Sequence, residues 1–485
     1  MPIRRDLLLS TLTILLVWLA ARVYVYEEVW QHQNIPALHL DKDTGYLWYY
    51  PVNFIKDNFI KSFFYLRGQP PLPQLLMAIM VKISGWPFNK PIDSFFLGLL
   101  TLFSALIIRE IIVISGRSLL IATSVAALWT ISTDCIAFEI DGWTRGFYET
   151  LTGFLFILSV WLFHKAETKN KASLALLFSI CAALLIMSRA TLSYFFIIPL
   201  IAVLLLNCNR KIVICIIPLA IQLGWGIKNL YAFGQFQFGT SSFAGTNIQI
   251  PLFKLDPKIN LAVYAINNLE KKDTCALQVV AALTTSSQQP AEIINTVPHE
   301  CRGYLLHINQ MEETLQKNID PEEKTTAGYN SHWDYAITKE ALPAYISYIY
   351  HNPTTLFRIL QKSLPIFWLP AEDGVSNYGA EKFTTPFFNA VRKSISLIVE
   401  FNKVFVYSLS SVTFIILIAC PRHKNPQKKS FLYAFSCFLY MSFFCCIGDL
   451  GENNRYRFAI EPVIWVLPFL TIPNLLALLK DQKND

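Results

Sequence analysis

The feature that most constrains this chain is a series of apolar runs, each close to the length that a helix needs to cross a bilayer. A spanning helix requires about 20 predominantly apolar residues, within a range of about 17–25. Ten runs approach or reach that length: 7–21, 94–114, 119–138, 147–163, 173–187, 192–206, 212–227, 404–420, 431–447 and 458–479. Shorter apolar segments at 72–84, 357–369 and 394–401 leave the predicted number of spans between 10 and 13.

The overall composition also indicates an integral membrane protein. Hydrophobic residues make up 53% of the 485 residues and charged residues only 15%, whereas soluble proteins carry about 25% charged residues. The predicted fold class is therefore an all-α polytopic membrane protein with a mixed extracytoplasmic domain. No run of Lys and Arg indicates nucleic-acid binding, so that class is excluded.

The basic residues of the short loops predict how the chain is oriented in the membrane. With ten spans, the following residues all fall on one side: Arg4, Arg5, Arg117, Lys165, Lys169, Lys171, Arg210, Lys211, Arg422, Lys424, Lys428, Lys429, Lys480 and Lys483. Positively charged loops favour the cytoplasm, so both termini are expected there. The first run lacks a small-x-small cleavage site, so we expect it to remain as a span.

This orientation divides the chain into three predicted regions. Residues 1–228 form an N-terminal transmembrane module with a first external loop at 26–93, residues 229–402 form an extracytoplasmic domain, and residues 403–485 form C-terminal transmembrane helices. Eight of the ten cysteines lie in or beside the spans, and only Cys275 and Cys301 lie in the external domain. Two cysteines in an oxidising compartment predict a disulfide, with two unpaired buried thiols as the alternative.

The first external loop carries an unusual acid pair in the stretch HLDKDTGYLWYYP, residues 39–51. Asp41 and Asp43 are followed at once by an aromatic cluster that includes Tyr46. Carboxylates near a membrane surface can act as general bases or metal ligands, and the alternative is an ordinary solvated loop. The loop ends at QPPL, from Gln69 to Leu72, where the prolines favour an extended segment that starts a helix.

An acid pair, an aromatic cluster and a PPL segment, in this order, resemble the membrane glycosyltransferases of the C superfamily. The similarity is to the branch of the protein O-mannosyltransferases and aminoarabinose transferases. Two later stretches fit the resemblance: IKNLYAFG, with Lys228 and Asn229, and GENNRYRFAIEP, residues 451–462. The resemblance implies a GT-C fold and transfer of a sugar from a polyprenyl phosphate on the outer side of the membrane. The family often has two adjacent acids, whereas Lys42 separates the acids here.

The resemblance also implies roles for individual residues. Asp43 or Asp41 is the expected general base, and cationic side chains are expected to hold the donor phosphate. The expected phosphate-binding residues are Arg455, Arg457, Arg145 and Lys228, and the expected supporting residues are Glu452, Gln69, Tyr46 and Asn229. For Arg145 and for Arg189, snorkelling towards lipid headgroups is the alternative. Glu139 and Asp141 are either a second acid pair or partners of Arg145.

The partners implied are a polyprenyl-phosphate sugar, a lipid, glycan or protein acceptor, and membrane lipids. No cofactor is required by the pattern, and a divalent metal is not favoured because the acid pair has no identifiable further ligand. The competing functions are a transporter or flippase, a polymerase of lipid-linked glycans, and a membrane scaffold without catalytic activity. A transporter would place charges in the middle of broken spans, whereas these spans are nearly free of charge at their centres. The expected location is a bacterial plasma membrane.

Overall fold

The structure is a computed structural model of the whole chain. It describes residues 2–25, 57–66, 70–84, 90–141, 145–205, 208, 210–234, 236–237, 249–256, 264, 275, 278, 297–319, 332–369, 371, 386–420, 425, 427–448 and 453–481.

The described residues form mainly α-helices. In chain order the helices are α1 (Pro2–Val25), α2 (Phe59–Phe64), α3 (Pro71–Ser84), α4 (Lys90–Ile114), α5 (Leu119–Thr130), α6 (Thr133–Asp141), α7 (Arg145–Lys169), α8 (Ala172–Ser188), α9 (Ile197–Leu205), α10 (Lys211–Phe233), α11 (Gln249–Leu255), α12 (Arg302–Ile319), α13 (His332–His351), α14 (Pro353–Phe367), α15 (Pro386–Phe405), α16 (Ser411–Ala419), α17 (Lys428–Gly448), α18 (Asn453–Phe458) and α19 (Glu461–Asp481). Short 3₁₀ helices lie at Ala190–Leu192 and His299–Cys301, and one π-helical turn lies at Val406–Ser410.

Eight of the ten predicted spans are helices long and apolar enough to cross a membrane. They are Arg5–Tyr24, Ser94–Ile114, Leu119–Ile140, Gly146–Lys169, Lys211–Phe233, Asn389–Ala419, Lys428–Gly448 and Glu461–Lys480. The predicted spans at 173–187 and 192–206 correspond to the shorter apolar helical segments Ala172–Ser188 and Ala190–Leu204. The polytopic membrane class is therefore confirmed, while the predicted count of 10 to 13 exceeds the eight full-length helices in the described part of the chain.

The three apolar segments that are too short to count as spans each lie in or overlap a helix. Residues 72–84 lie in α3, and residues 357–369 overlap α14. Residues 394–401 lie inside α15, which continues through the π-helical turn into α16, so that 389–419 is one helical stretch of 31 residues. The boundary predicted between residues 402 and 403 therefore lies inside a continuous helix.

The predicted external domain is helical wherever the structure describes it. Its described residues contain no strand, so a mixed α and β composition is not what this part of the chain shows. The helical period is visible in α14, which buries Thr355, Ile359, Ser363 and Phe367 at intervals of four residues. A small apolar cluster joins α11, α13 and α14 around Leu252, Tyr345 and Ile359. A disulfide links Cys275 to Cys301, whose Cα atoms lie 4.9 Å apart, which is the pairing that the sequence predicts.

The transmembrane helices share one apolar core, and polar contacts gather at one end of it. Gln427 Nε2 donates to the carbonyl of Ile114 at 2.9 Å, Lys429 pairs with Glu167, and His164 bonds to Ser430 at 2.9 Å. These contacts bring together the ends of α4 and α7 and the start of α17, where predicted cytoplasmic loops lie. We call this the basic-loop end of the bundle.

Candidate functional site

A group of buried ion pairs lies at the opposite end of the helix bundle. We call this group the ion-pair network; its described members are Arg22, Asp134, Glu139, Glu149, Arg189, Arg455, Arg457 and Glu461. All eight side chains are largely or fully buried. A charge in such a setting is costly unless it is paired, so the network must fix the relative positions of the helices that carry it.

A break in the third span positions the first part of the network. The helix α5 ends at Thr130, and α6 begins at Thr133. Arg22, near the end of α1, donates to the backbone carbonyl of Thr130 and forms an ion pair with Glu139 of α6. Its Nε also donates to Glu139 at 3.0 Å. One side chain therefore satisfies a helix-end carbonyl and neutralises a buried acid across the break.

Glu149 of α7 is the centre of the second part of the network. One of its oxygens pairs with Arg189, and the other lies 3.1 Å from Nε of Arg455. Tyr456 lies beside both cations: the guanidinium carbons of Arg189 and Arg455 are 4.2 Å and 4.8 Å from its ring centroid. Burial lowers the pKa of Arg189. A single carboxylate and a single aromatic ring thus hold two guanidinium groups side by side.

Arg457 of α18 forms the third and most deeply buried part. Its guanidinium lies 3.2 Å from Asp134 of α6 and 3.1 Å from Glu461 at the start of α19. It also donates to the carbonyl of Leu369 at 3.4 Å, and Glu461 accepts a bond from Trp465. Burial on its own lowers the pKa of Arg457, but the two carboxylates outweigh that effect and raise it. The cation is therefore firmly held in its charged form.

Close backbone packing explains how these charged segments come together. Gly146 faces the backbone of Phe138, and a Cβ atom at this position would overlap the Phe138 carbonyl, so α6 and α7 can approach only because residue 146 is glycine. Phe138 stacks on Phe458 of α18 with ring centroids 4.3 Å apart. These contacts bring α6, α7 and α18, which carry Asp134, Glu149 and both Arg455 and Arg457, to one place.

Lys228 and Asn229 lie near the end of α10. Lys228 Nζ donates to the carbonyl of Leu66 at 2.6 Å and lies 3.7 Å from the ring centroid of Trp225. Asn229 is buried and donates to the carbonyl of Gln237 at 3.1 Å. The structure therefore places Lys228 against the segment just before the QPPL motif.

The remaining predicted site residues lie outside the described residues. They are Asp41, Asp43, Tyr46, Gln69 and Glu452, together with the side chain of Arg145. Their predicted roles stay predictions. In the part of the chain that the structure describes, no three His, Cys, Asp or Glu side chains are grouped closely enough to hold a metal ion.

Sequence reasoning named Glu139 as a candidate but missed the other acids of the network, which are Asp134, Glu149 and Glu461. Asp134 and Glu149 lie near the ends of apolar runs, outside the span centres that the sequence predicts to be nearly free of charge, and both side chains are buried. Arg189 is buried and paired with Glu149, so the alternative of snorkelling towards lipid headgroups is wrong for this residue. Glu139 pairs with Arg22. The signal available was an acid within an apolar run, which requires a partner inside the protein.

Comparisons with known proteins do not assign the chain to a family. No protein-family model matches the chain, and no curated protein matches it. The function must therefore be argued from the membrane fold, the ion-pair network and the loop motifs.

Proposed function

We propose that the chain is a membrane glycosyltransferase that moves a sugar from a polyprenyl phosphate to an acceptor hydroxyl. The observation that carries this proposal is the group formed by Glu149, Arg189 and Arg455 at one end of the bundle. Arg455 keeps 15% of its side chain exposed while buried Glu149 contacts its Nε. A guanidinium oriented by a fixed carboxylate is well suited to binding two oxygens of a phosphate group.

In this proposal Arg457 has a different role from the one that the sequence suggests. Its side chain is fully buried between Asp134 and Glu461, and a phosphate would have to displace one of these carboxylates. We therefore assign phosphate binding to Arg455. Arg457 acts as a positioning residue that fixes α18, the helix that also presents Arg455.

The proposed reaction needs a base and a stabilised leaving group. Asp43 or Asp41 takes the proton of the acceptor hydroxyl while the hydroxyl oxygen bonds to the anomeric carbon of the donor. The bond from that carbon to the phosphate oxygen breaks, and its electron pair leaves with the polyprenyl phosphate. Attack opposite the phosphate inverts the anomeric configuration. Arg455 stabilises the negative charge on the departing phosphate.

The proposed setting is the extracytoplasmic face of a bacterial plasma membrane. Two observations support this choice of face. The ion-pair network lies at the end of the bundle opposite the basic loops, and basic loops favour the cytoplasm. The acid-pair loop follows α1, whose last turn contains Arg22 of the network. The acceptor is a hydroxyl of a lipid, a glycan or a protein.

The test uses the protein purified into lipid nanodiscs and a panel of polyprenyl-phosphate sugars. Asp41→Asn and Asp43→Asn are assayed separately for release of polyprenyl phosphate and for labelled product. Asp57→Asn is the matched control, because Asp57 lies in the same predicted loop and is exposed. We expect one of the two loop variants to lose transfer while the control keeps it. Full transfer by both variants would show that neither acid is the base.

A transporter or flippase of lipid-linked sugars is the second candidate, and one observation favours it. The third span is broken between α5 and α6, and buried Asp134 follows the break directly. Broken helices with buried charges are typical of transporters. Reconstituted vesicles separate the two functions: a transferase releases polyprenyl phosphate, whereas a flippase moves the intact lipid-linked sugar between leaflets without consuming it.

A further inference from the structure

A cavity of about 150 Å³ lies beside the ion-pair network. It is enclosed by the start of α6, by Trp368 and Leu369 just after α14, and by one face of α15. Its polar lining consists of Thr133, Asp134, Arg392, Ser396 and Glu400, and its apolar lining consists of Trp368, Leu369, Ile395 and Val399. The cavity and the network therefore share one residue, Asp134.

The wall that α15 contributes follows from its sequence. Arg392, Ser396 and Glu400 recur at intervals of four residues, and Ile395 and Val399 lie between them, so that all five share one helical face. The neighbouring residue Leu397 lies on another face and is 66% exposed. The side of α15 that faces the cavity is thus partly polar, although the same helix leads into a transmembrane span.

Exposure changes from one end of the cavity to the other. Thr133, Asp134 and Trp368 are almost fully buried, whereas the side chain of Glu400 is 56% exposed. The closed end therefore lies against the ion-pair network, and the open end lies at Glu400. Asp134 is therefore the buried carboxylate at the closed end of the cavity.

The lining has the chemistry of a site for a neutral ring that carries several hydroxyl groups. Hydroxyl and carboxylate oxygens accept hydrogen bonds, the guanidinium of Arg392 donates them, and the charge of Asp134 is already balanced by Arg457. The indole N–H of Trp368 donates to Tyr407 at 2.9 Å, so the ring is held in place as an apolar wall. A cavity of about 150 Å³ can hold a single six-membered ring such as benzene.

We propose that this cavity binds one neutral monosaccharide ring. Polar groups of α6 and α15 face the bound ring, and Trp368 and Val399 pack against the carbon face of the sugar. Binding of the ring by this cavity does not require that the protein catalyses any reaction. Its use in transfer, as the place of the donor sugar or of the terminal acceptor sugar, rests on the proposed function.

The experiment measures binding of methyl α-D-mannopyranoside, methyl β-D-galactopyranoside and N-acetylglucosamine to the full-length protein. Saturation-transfer NMR is used, and the protein is held in lipid nanodiscs free of maltoside detergent, whose headgroup is itself a sugar. Glucuronic acid and glucosamine serve as charged comparisons. We expect at least one neutral ring to bind and to be preferred over its charged counterparts.

Two variants and two matched controls locate the site. Ser396→Trp fills the cavity, and Leu397→Trp adds the same indole to the outer face of α15. Arg392→Met removes the cation, and Lys393→Met removes an exposed neighbouring cation. We expect Ser396→Trp and Arg392→Met each to weaken binding about tenfold or more, or about 1.4 kcal/mol, and both controls to bind as wild type. Arg392→Met tests the site even if Ser396→Trp does not fold.

The outcomes separate this proposal from the proposed function. Absence of binding by every neutral ring, or equal loss in variants and controls, overturns the sugar site whether or not transfer occurs. Binding that depends on Ser396 and Arg392 upholds the site even if no donor is ever consumed. Displacement of the methyl glycoside by a farnesyl-phosphate sugar, but not by farnesyl phosphate, assigns the cavity to the donor sugar. Displacement by acceptor oligosaccharides alone assigns it to the acceptor.

Discussion

Arg457 and Asp134 are 323 positions apart in the chain, yet they form an ion pair of 3.2 Å in which both side chains are at most 2% exposed. The pair joins the C-terminal helices to the broken third span. Glu461 shares the same guanidinium from the other side. The stability of the bundle end and the position of Arg455 both depend on this contact.

We expect Arg457→Met to be strongly destabilising. The change leaves Asp134 and Glu461 buried without their cation, and breaking a buried pair in this way costs about 3–5 kcal/mol. Thermal unfolding in detergent, followed by size-exclusion chromatography of heated samples, measures the effect. Lys403→Met is the control, because Lys403 pairs with Glu400 on the exposed side of a helix and such pairs contribute about 0–1 kcal/mol. Equal melting temperatures for the two variants would contradict the structural role of Arg457.

We expect Arg455→Lys to fold normally and to lower kcat/KM for sugar transfer by about tenfold or more. Lysine keeps the charge but cannot bind a phosphate bidentately, and one charge-assisted hydrogen bond is typically worth about 1.5–3 kcal/mol. The measurement is initial rates over a range of donor concentrations. Arg117→Lys, at the basic-loop end, should leave the kinetics unchanged. A wild-type rate for Arg455→Lys would remove this residue from the phosphate site.

We expect Gly146→Ala to reduce stability and Gly224→Ala to preserve or raise it. A Cβ at residue 146 would overlap the carbonyl of Phe138, whereas a Cβ at residue 224 meets nothing within 4 Å. Alanine is favoured over glycine in a helix by about 1 kcal/mol, so a loss of stability in Gly146→Ala must come from the clash. The measurement compares the melting temperatures of Gly146→Ala and Gly224→Ala in the same detergent. Equal melting temperatures would show that α6 and α7 can separate without cost.

We expect eight of the ten cysteines to react with a maleimide–polyethylene glycol after denaturation without reductant, and ten after reduction. The difference is the Cys275–Cys301 disulfide, which closes a loop across 26 positions. Removing it by Cys275→Ser with Cys301→Ser should cost about 3.5 kcal/mol by the loop-entropy account. Mass shifts on a denaturing gel count the thiols. Ten shifts before reduction would mean that the disulfide does not form in the membrane.

The orientation of the chain can be tested with reporters that are active on only one side of a membrane. A reporter fused after Lys171 should be in the cytoplasm, because Lys165, Lys169 and Lys171 surround that position. A reporter at Lys254 should lie on the opposite side. If the two reporters lie on the reversed sides, the ion-pair network is at the cytoplasmic end of the bundle, and transfer on the outer face is excluded.

Local patterns predicted the membrane helices well because each span is specified by its own residues. The apolar runs at 94–114 and 431–447, for example, coincide closely with the spans Ser94–Ile114 and Lys428–Gly448. The helix α14, in the predicted external domain, is harder to recognise from the sequence. Its composition is mixed, and only the four-residue spacing of Thr355, Ile359 and Ser363 indicates a helix.

The ion-pair network could be predicted only in part, because most of its partners are remote in sequence. Arg457 and Glu461 are four residues apart in the motif at residues 451–462, a spacing that allows this contact, although Glu461 is not among the predicted site residues. The contacts of Arg457 with Asp134 and of Glu149 with Arg455 depend on how distant helices pack, and no local spacing reveals them. Acids within apolar runs predict that a partner exists without saying which residue it is.

The described ion-pair network contains four guanidinium groups and four carboxylates, so its formal charge is zero. An elementary charge that moves through a membrane potential of 100 mV gains or loses about 2.3 kcal/mol. A neutral group that shifts as a unit does no such electrical work. A movement of the eight described network residues as one unit should therefore be nearly insensitive to the membrane potential.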